Sequence, residues 1–142
     1  MKEEICRLLP HGASMCLLDT VEEWDEAKIR CRTSTHQDPG NPLRFRGQLS
    51  VAAGLEYAAQ AMGVHVALLD PNRSVEGQVG FVGSLRDVTF AVERLDDIVS
   101  RLTISATRMV EGDNSYMYRF IVDHDGRAII EGRASIFIKA VT

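Results

Sequence analysis

Residues 49–69, LSVAAGLEYAAQAMGVHVALL, are apolar almost throughout, with one carboxylate, Glu56, and one amide, Gln60, a single turn apart. A helix that is hydrophobic all round belongs inside a protein. A carboxylate there is expensive unless it is hydrogen-bonded or protonated, so Glu56 is either well partnered or kept for chemistry. The run is long enough to cross a bilayer. Glu56, Gln60 and His65 in its interior argue against that, because ionisable groups are rare in spanning helices. The expectation is a buried helix of a soluble protein with no membrane partner. Ser50 is its expected N-cap, and Asp70-Pro71-Asn72 its end.

Around this helix the pattern is strand-like. Cys16–Trp24 and Lys28–Thr35 suit two strands turned by Asp25-Glu26-Ala27, after a helical turn at 4–10. Residues 36–48, HQDPGNPLRFRGQ, read as an irregular loop. Further strands are expected at 78–90, 98–110, 115–124 and 127–140. Leu102-Thr103-Ile104-Ser105-Ala106 alternates apolar and polar residues. Glu111-Gly112-Asp113-Asn114 and Asp125-Gly126 are hairpin turns. The plan β-β-helix-β-β-β-β over residues 1–142 is one two-layer α+β domain.

Composition narrows the function. The chain has 142 residues, 45% apolar and 25% charged, with net charge −4. Its pI is near 5.5. One core of ordinary size is expected, and the absence of a basic stripe argues against a nucleic-acid partner. The first ten residues, MKEEICRLLP, show no basic region followed by an apolar one, so no secretory signal is expected. Cys6, Cys16 and Cys31 lack CxxC spacing, which argues against a disulfide framework or zinc site and for a reducing cytoplasm.

Three stretches resemble the hotdog-fold β-hydroxyacyl-acyl-carrier-protein dehydratases. LLPHGASMCLLDTVEEW (8–24) is similar to that family's N-terminal Leu-Pro-His … Leu-Leu-Asp-Arg-Val segment. GLEYAAQAMG (54–63) resembles its helix, which carries the catalytic carboxylate. FVGSLRDVTFAVERLDDIVSRLTISATRM (81–109) is similar to its Phe-x-Gly strand pair. The pattern LPH…M.LLD…GLEYAAQA most resembles the predicted dehydratases found with aryl-polyene pigment biosynthesis. The resemblance implies a hotdog fold, one long central helix wrapped by a curved antiparallel sheet. It also implies a 3-hydroxyacyl thioester substrate, carried on the phosphopantetheine of an acyl carrier protein or on CoA, with no other cofactor.

The resemblance makes Glu56 the acid that protonates a leaving hydroxyl; burial would raise its pKa, as an acid needs near neutrality. Gln60, about 40° round the helix, either orients that carboxylate, contacts the thioester, or bonds a loop carbonyl. The family's general base is a His in a Gly-His-Phe-Pro-Gly loop. The corresponding loop here, Asn41 to Gly47, has no His. His36, in the loop before the helix, is the remaining candidate base. His65 lies about 180° from Glu56 on the helix and reads as packing or interface. His11 reads as structural, and His124 as part of a solvated turn rather than a metal ligand. Where the family places a Gly-containing turn that receives the thioester, five residues before the acid, this chain has Val51. Helix-terminal N–H groups around Val51, Ala52 and Gly54 are candidate donors to the thioester carbonyl. Phe81 and Gly83 complete the substrate side. Arg44 and Arg46, with Arg73 and Arg86 further off, are candidates for the phosphopantetheine phosphate or an acidic carrier.

Hotdog sites resemble composites of two protomers, so an acid-bearing subunit without its base suggests a half-site, in a homodimer or a heterodimer with a related subunit. Two alternatives stand beside it: a hotdog acyl thioesterase using the helix Glu, and a non-catalytic acyl-binding or scaffold subunit.

Overall fold

The computed structural model describes residues 2–7, 15–69, 78–112 and 115–140. In chain order these form α1 (Lys2–Arg7), β1 (Thr20–Trp24), β2 (Lys28–Thr33), α2 (Gly54–Leu69), β3 (Gln78–Phe90), β4 (Leu102–Glu111), β5 (Ser115–His124) and β6 (Arg127–Ala140). The six strands make one antiparallel sheet in the order β1-β2-β4-β5-β6-β3. With α2 packed against that sheet, this is the hotdog architecture.

Strand alternation decides which face meets the helix. Leu102, Ile104 and Ala106 of β4, Tyr116, Tyr118, Phe120 and Val122 of β5, and Ile130, Ala134 and Ile136 of β6 are buried. Arg30, Arg119 and Arg133 face outward and exposed. The Asp125-Gly126 turn forms as expected, both residues having positive φ, 49° and 76°, which suits a tight two-residue hairpin. At the β1–β2 turn, Asp25 Oδ1 accepts from the Ala27 and Lys28 amides at 2.8 and 2.9 Å.

The helix begins where expected. The Ser50 side chain accepts from the Ala52 amide, and a 3₁₀ turn over Val51–Ala53 leads into α2. Small residues let it lie close to the sheet. A Cβ on Gly54 would collide with Ile130 Cδ1, and Ala58 and Ala61 are fully buried.

Some boundaries differ from the sequence reading. The strand expected from Cys16 begins only at Thr20, because the Leu17 amide bonds a helix side chain instead of a neighbouring strand. The strand expected to reach Thr35 stops at Thr33, and Thr35–Gln37 winds into a 3₁₀ turn. The strand expected from residue 98 starts at Leu102, since the Ile98 amide closes a turn on Leu95 O at 3.1 Å. The helix stop at Asp70-Pro71-Asn72 and the Asp113-Asn114 turn lie outside the described residues.

Two further expectations change. Cys6 and Cys16 are joined as a disulfide, with Cα atoms 5.5 Å apart, where the spacing argued against a disulfide framework. Local spacing does not register that α1 folds back onto the segment before β1. Cys31 stays a free, buried thiol, and burial pushes its pKa up to about 12. The helix is also not enclosed all round. Ala52 is exposed, and Leu55, Glu56, Ala59 and Gly63 are only half-buried. Their spacing makes one stripe along the helix, and Glu56 lies in it. No helix among the described residues is long and apolar enough to cross a membrane.

Candidate active site

Glu56 sits in the first turn of α2, half-buried rather than enclosed. Its Oε2 accepts from Gln60 Nε2 at 3.0 Å. Gln60 itself is buried and fully used. Its other Nε2 hydrogen goes to Met15 O at 2.7 Å, and its Oε1 accepts from the Leu17 amide at 2.8 Å. Gln60 therefore contacts both the carboxylate and a loop carbonyl. A saturated amide has no freedom to flip, so Glu56 Oε2 is fixed as the oxygen that accepts from Gln60.

Behind this pair lies a polar network that the sequence reading missed. Leu17 O accepts from Thr33 Oγ1 and Thr35 Oγ1, each at 2.6 Å. Thr35 Oγ1 shares a hydrogen bond with Tyr57 OH at 2.8 Å, and Asn41 Nδ2 donates to the same hydroxyl at 3.0 Å. Asp19 Oδ2 accepts from the Ser34 amide at 2.8 Å. The one legible signal was Leu-Leu-Asp at 17–19 inside a family-like segment, and it carried no partner information. Buried networks of this kind fix geometry when every member is satisfied.

The helix N-terminus is less open than expected. Val51 N–H donates to Glu93 O at 2.9 Å and Ala53 N–H to Ser50 O at 3.0 Å. Ala52 N–H meets Ser50 Oγ at 3.2 Å, and Gly54 N–H turns back onto Val51 O and Ala52 O. The donors assigned to a thioester carbonyl are engaged within the chain: Val51 by the 93–96 segment that folds across the helix start, Ala52 and Gly54 by the Ser50 cap and the 3₁₀ turn. Asp96 secures that crossing: its Oδ1 accepts from the Leu49 amide at 2.8 Å and from Arg94 Nε at 3.0 Å. Gly54 serves packing against Ile130.

The histidines divide in the same way. His36 is fully buried, and its Nε2 meets Ile98 O at 3.0 Å; that contact joins the 35–37 turn to the 95–99 loop and does not involve Glu56. His65 is fully buried too, held by Tyr118 OH at 2.6 Å and Asp25 O at 2.7 Å, as its place on the helix indicated. His124 Nδ1 meets Ser100 Oγ at 3.1 Å. His11 lies outside the described residues.

Arg44 is a loop staple, donating to Asp38 O, Gly47 O and His36 O at 2.9, 3.0 and 3.2 Å. Arg46 has φ 53° and lies over the exposed Phe45 ring at 5.1 Å, which leaves it facing solvent. Arg86 is exposed on β3, and Arg73 lies outside the described residues. Phe81 and Gly83 stand on β3 beside β6, where a Cβ on Gly83 would collide with the Phe137 ring. The Phe81 side chain lies outside the described residues.

Burial pushes both His36 and His65 below the ordinary histidine value of 6.5. The unfolded chain regains that value and binds protons the folded chain refuses. Stability is therefore full above about pH 6.5, declines as pH falls below it, and levels off beneath the folded values. Asp96 is held far below the usual carboxylate range by Arg94 and the Leu49 amide, so its contribution to stability is constant at higher pH and is lost only as pH falls below about 4, where unfolded carboxylates protonate. Urea midpoints are expected to be flat from about pH 8 to 7 and to fall from about 6.5 to 5. A flat profile through that range would contradict the placement of both imidazoles.

A family model described as ApeP-like, ApeP dehydratase, matches residues 3–141. The chain belongs to the ApeP-like dehydratase family. It is a dehydratase-like hotdog protein of the kind associated with aryl-polyene biosynthesis. No curated protein matches the chain. Among solved structures, the dehydratase heterocomplex ApeI:P from Xenorhabdus doucetiae is similar at 23% identity and TM-score 0.82, over 94% of this chain and 89% of that one. A thioesterase from Haemophilus influenzae matches at 12% identity and TM-score 0.66, over 99% and 92%. A hypothetical thioesterase with coenzyme A from Streptococcus pneumoniae matches at 15% identity and TM-score 0.61, over 86% of each chain. At these identities the structural likenesses establish the shared hotdog fold.

Proposed function

We propose that this ApeP-like chain is the acid-bearing half of a 3-hydroxyacyl thioester dehydratase, completed by a hotdog subunit that supplies the general base. The observation that carries the reading is the open stripe around Glu56. A helix apolar all round is covered in the finished protein, yet here the strip Ala52–Leu55–Ala59–Gly63 is left half-open, and the oriented carboxylate lies in it. β3 adds support. It is a sheet edge of 13 residues carrying exposed Val82, Leu85 and Phe90, and an apolar edge of that length is a pairing surface. Among the described residues no histidine bonds Glu56, while His36 and His65 are both enclosed elsewhere.

Dehydration needs a base at C2, an acid at the C3 hydroxyl, and donors for the enolate-like oxygen. In this reading Glu56 transfers a proton through Oε1, since Oε2 accepts from Gln60. It delivers that proton to the C3 hydroxyl as water leaves. The partner takes the C2 proton. Because the Val51 amide is engaged by Glu93 O, the partner also supplies the donor to the thioester oxygen. The substrate is read as an acyl thioester on phosphopantetheine or CoA, with the solvent-facing Arg46 as the candidate phosphate contact. A cytoplasmic location suits that substrate class.

The Glu56–Gln60 pair, without a histidine in contact among the described residues, also supports a second reading as a thioesterase with Glu56 as nucleophile or base. The test is turnover of 3-hydroxyacyl-CoA and 3-hydroxyacyl-carrier substrates by the chain alone and after co-purification with a His-bearing hotdog subunit. Enoyl product is expected only from the pair. Dehydration by the single chain would overturn the half-site, and thiol release without enoyl product would favour the thioesterase.

A further inference from the structure

We propose that Cys16, through its disulfide to Cys6, is a positioning residue for Glu56, so that the thiol–disulfide state of the pair tunes the site. The inference rests on the reading of Glu56 as the acid. Cys16 lies between Met15 and Leu17, the two residues whose backbone groups hold Gln60, and Gln60 holds Glu56 Oε2. Apolar packing of Leu17 in the core and hydrogen bonds to Gln60 seat this short segment on the helix. The disulfide to Cys6 adds a covalent cross-link from this segment to α1, with both half-cystines buried. Two thiols need more room than two bonded sulfurs, so a reduced pair cannot keep the same packing in the same space. Closing the bond also restricts how far residues 15–17 open away from the helix.

The exchange is ordinary thiol chemistry with a low-molecular-weight disulfide. One cysteine thiolate attacks it, forming a mixed disulfide and releasing one small thiol. The second cysteine attacks the mixed disulfide at the protein sulfur, closes the Cys6–Cys16 bond and releases the second small thiol. Two electrons pass from the pair to the small disulfide, and the two cysteine protons end on the released thiols. Cys31, buried in β2, takes no part.

The test compares the full chain equilibrated with oxidised glutathione and the same chain treated with a phosphine reductant. Under denaturing conditions one free thiol is expected in the first sample and three in the second. Hydrogen exchange at the Leu17 amide is expected to be about tenfold faster in the reduced chain, while Tyr118 and Phe120 amides in β5 exchange alike in both. A Cys6→Ser/Cys16→Ser chain should match the reduced sample under either condition. With the His-bearing subunit and a 3-hydroxyacyl thioester, reduction is expected to lower kcat about tenfold with KM unchanged, as for a displaced catalytic group. Three thiols after exposure to oxidised glutathione, or equal Leu17 exchange, would overturn the proposal. So would accelerated exchange throughout β5, which marks a general loss of structure. Full turnover of Glu56→Gln would overturn the reading of the acid instead, and the exchange comparison would still decide the link from Cys16 to Gln60.

Discussion

Glu56→Gln in the assembled two-subunit enzyme is expected to lower kcat by about 10²–10⁴-fold, the range set by removing a positioned general acid. The substitution keeps the shape of the side chain. Its amide oxygen can accept from Gln60 Nε2 as Oε2 does at 3.0 Å, so the orientation survives and only the transferable proton is lost. KM and thermal stability should change little, because the residue is half-buried and its hydrogen bond from Gln60 is kept. Steady-state kinetics with a 3-hydroxyacyl thioester, beside thermal unfolding of the variant, separates the two effects. Retention of more than about a tenth of the wild-type kcat would remove Glu56 from the acid role.

Gln60→Leu should be the most damaging single change at the site for the fold itself. Leucine fills a similar volume and leaves the Leu17 amide and Met15 carbonyl without their partner. An unsatisfied buried group costs about 1–3 kcal/mol. Leu17 is 1% exposed, so its amide bears the full penalty, whereas Met15 is half-buried and is partly re-solvated. The expected loss is about 2–4 kcal/mol in urea unfolding. Residues 15–17 should also exchange faster, and the assembled enzyme should lose kcat along with stability. Gln60→Glu separates the contacts, since it keeps the acceptor for the Leu17 amide while removing the Nε2 donor to Met15 O and Glu56 Oε2. Unchanged stability in Gln60→Leu would mean that the 15–17 segment is held by other contacts.

What the chain disclosed about its own structure follows the reach of each signal. The hairpin at Asp125-Gly126, the cap at Ser50 and the alternation in β4 are decided within a few residues, and all three are found as read. The apolar helix announced its own burial, and nine steps of helical rotation were enough to send His65 away from Glu56. The site depended on longer reach. Gln60 finds the Leu17 amide 43 positions away, and His36 finds Ile98 O 62 positions away. No local pattern encodes either meeting. The same holds for Val51 N–H, engaged by Glu93 O across the helix start, and for the pairing of Cys6 with Cys16. The half-open stripe was hidden for a different reason. Its residues are as apolar as those facing the sheet, so only the packed chain shows which side it leaves uncovered.

The acid half-site itself is tested most directly by the structure of the assembled pair with a non-reactive 3-hydroxyacyl thioester analogue. The account predicts that Glu56 Oε1 faces the C3 hydroxyl while Oε2 stays on Gln60, and that a histidine of the other subunit faces C2. A histidine of this chain in that position, or Glu56 buried away from the bound analogue, would contradict it.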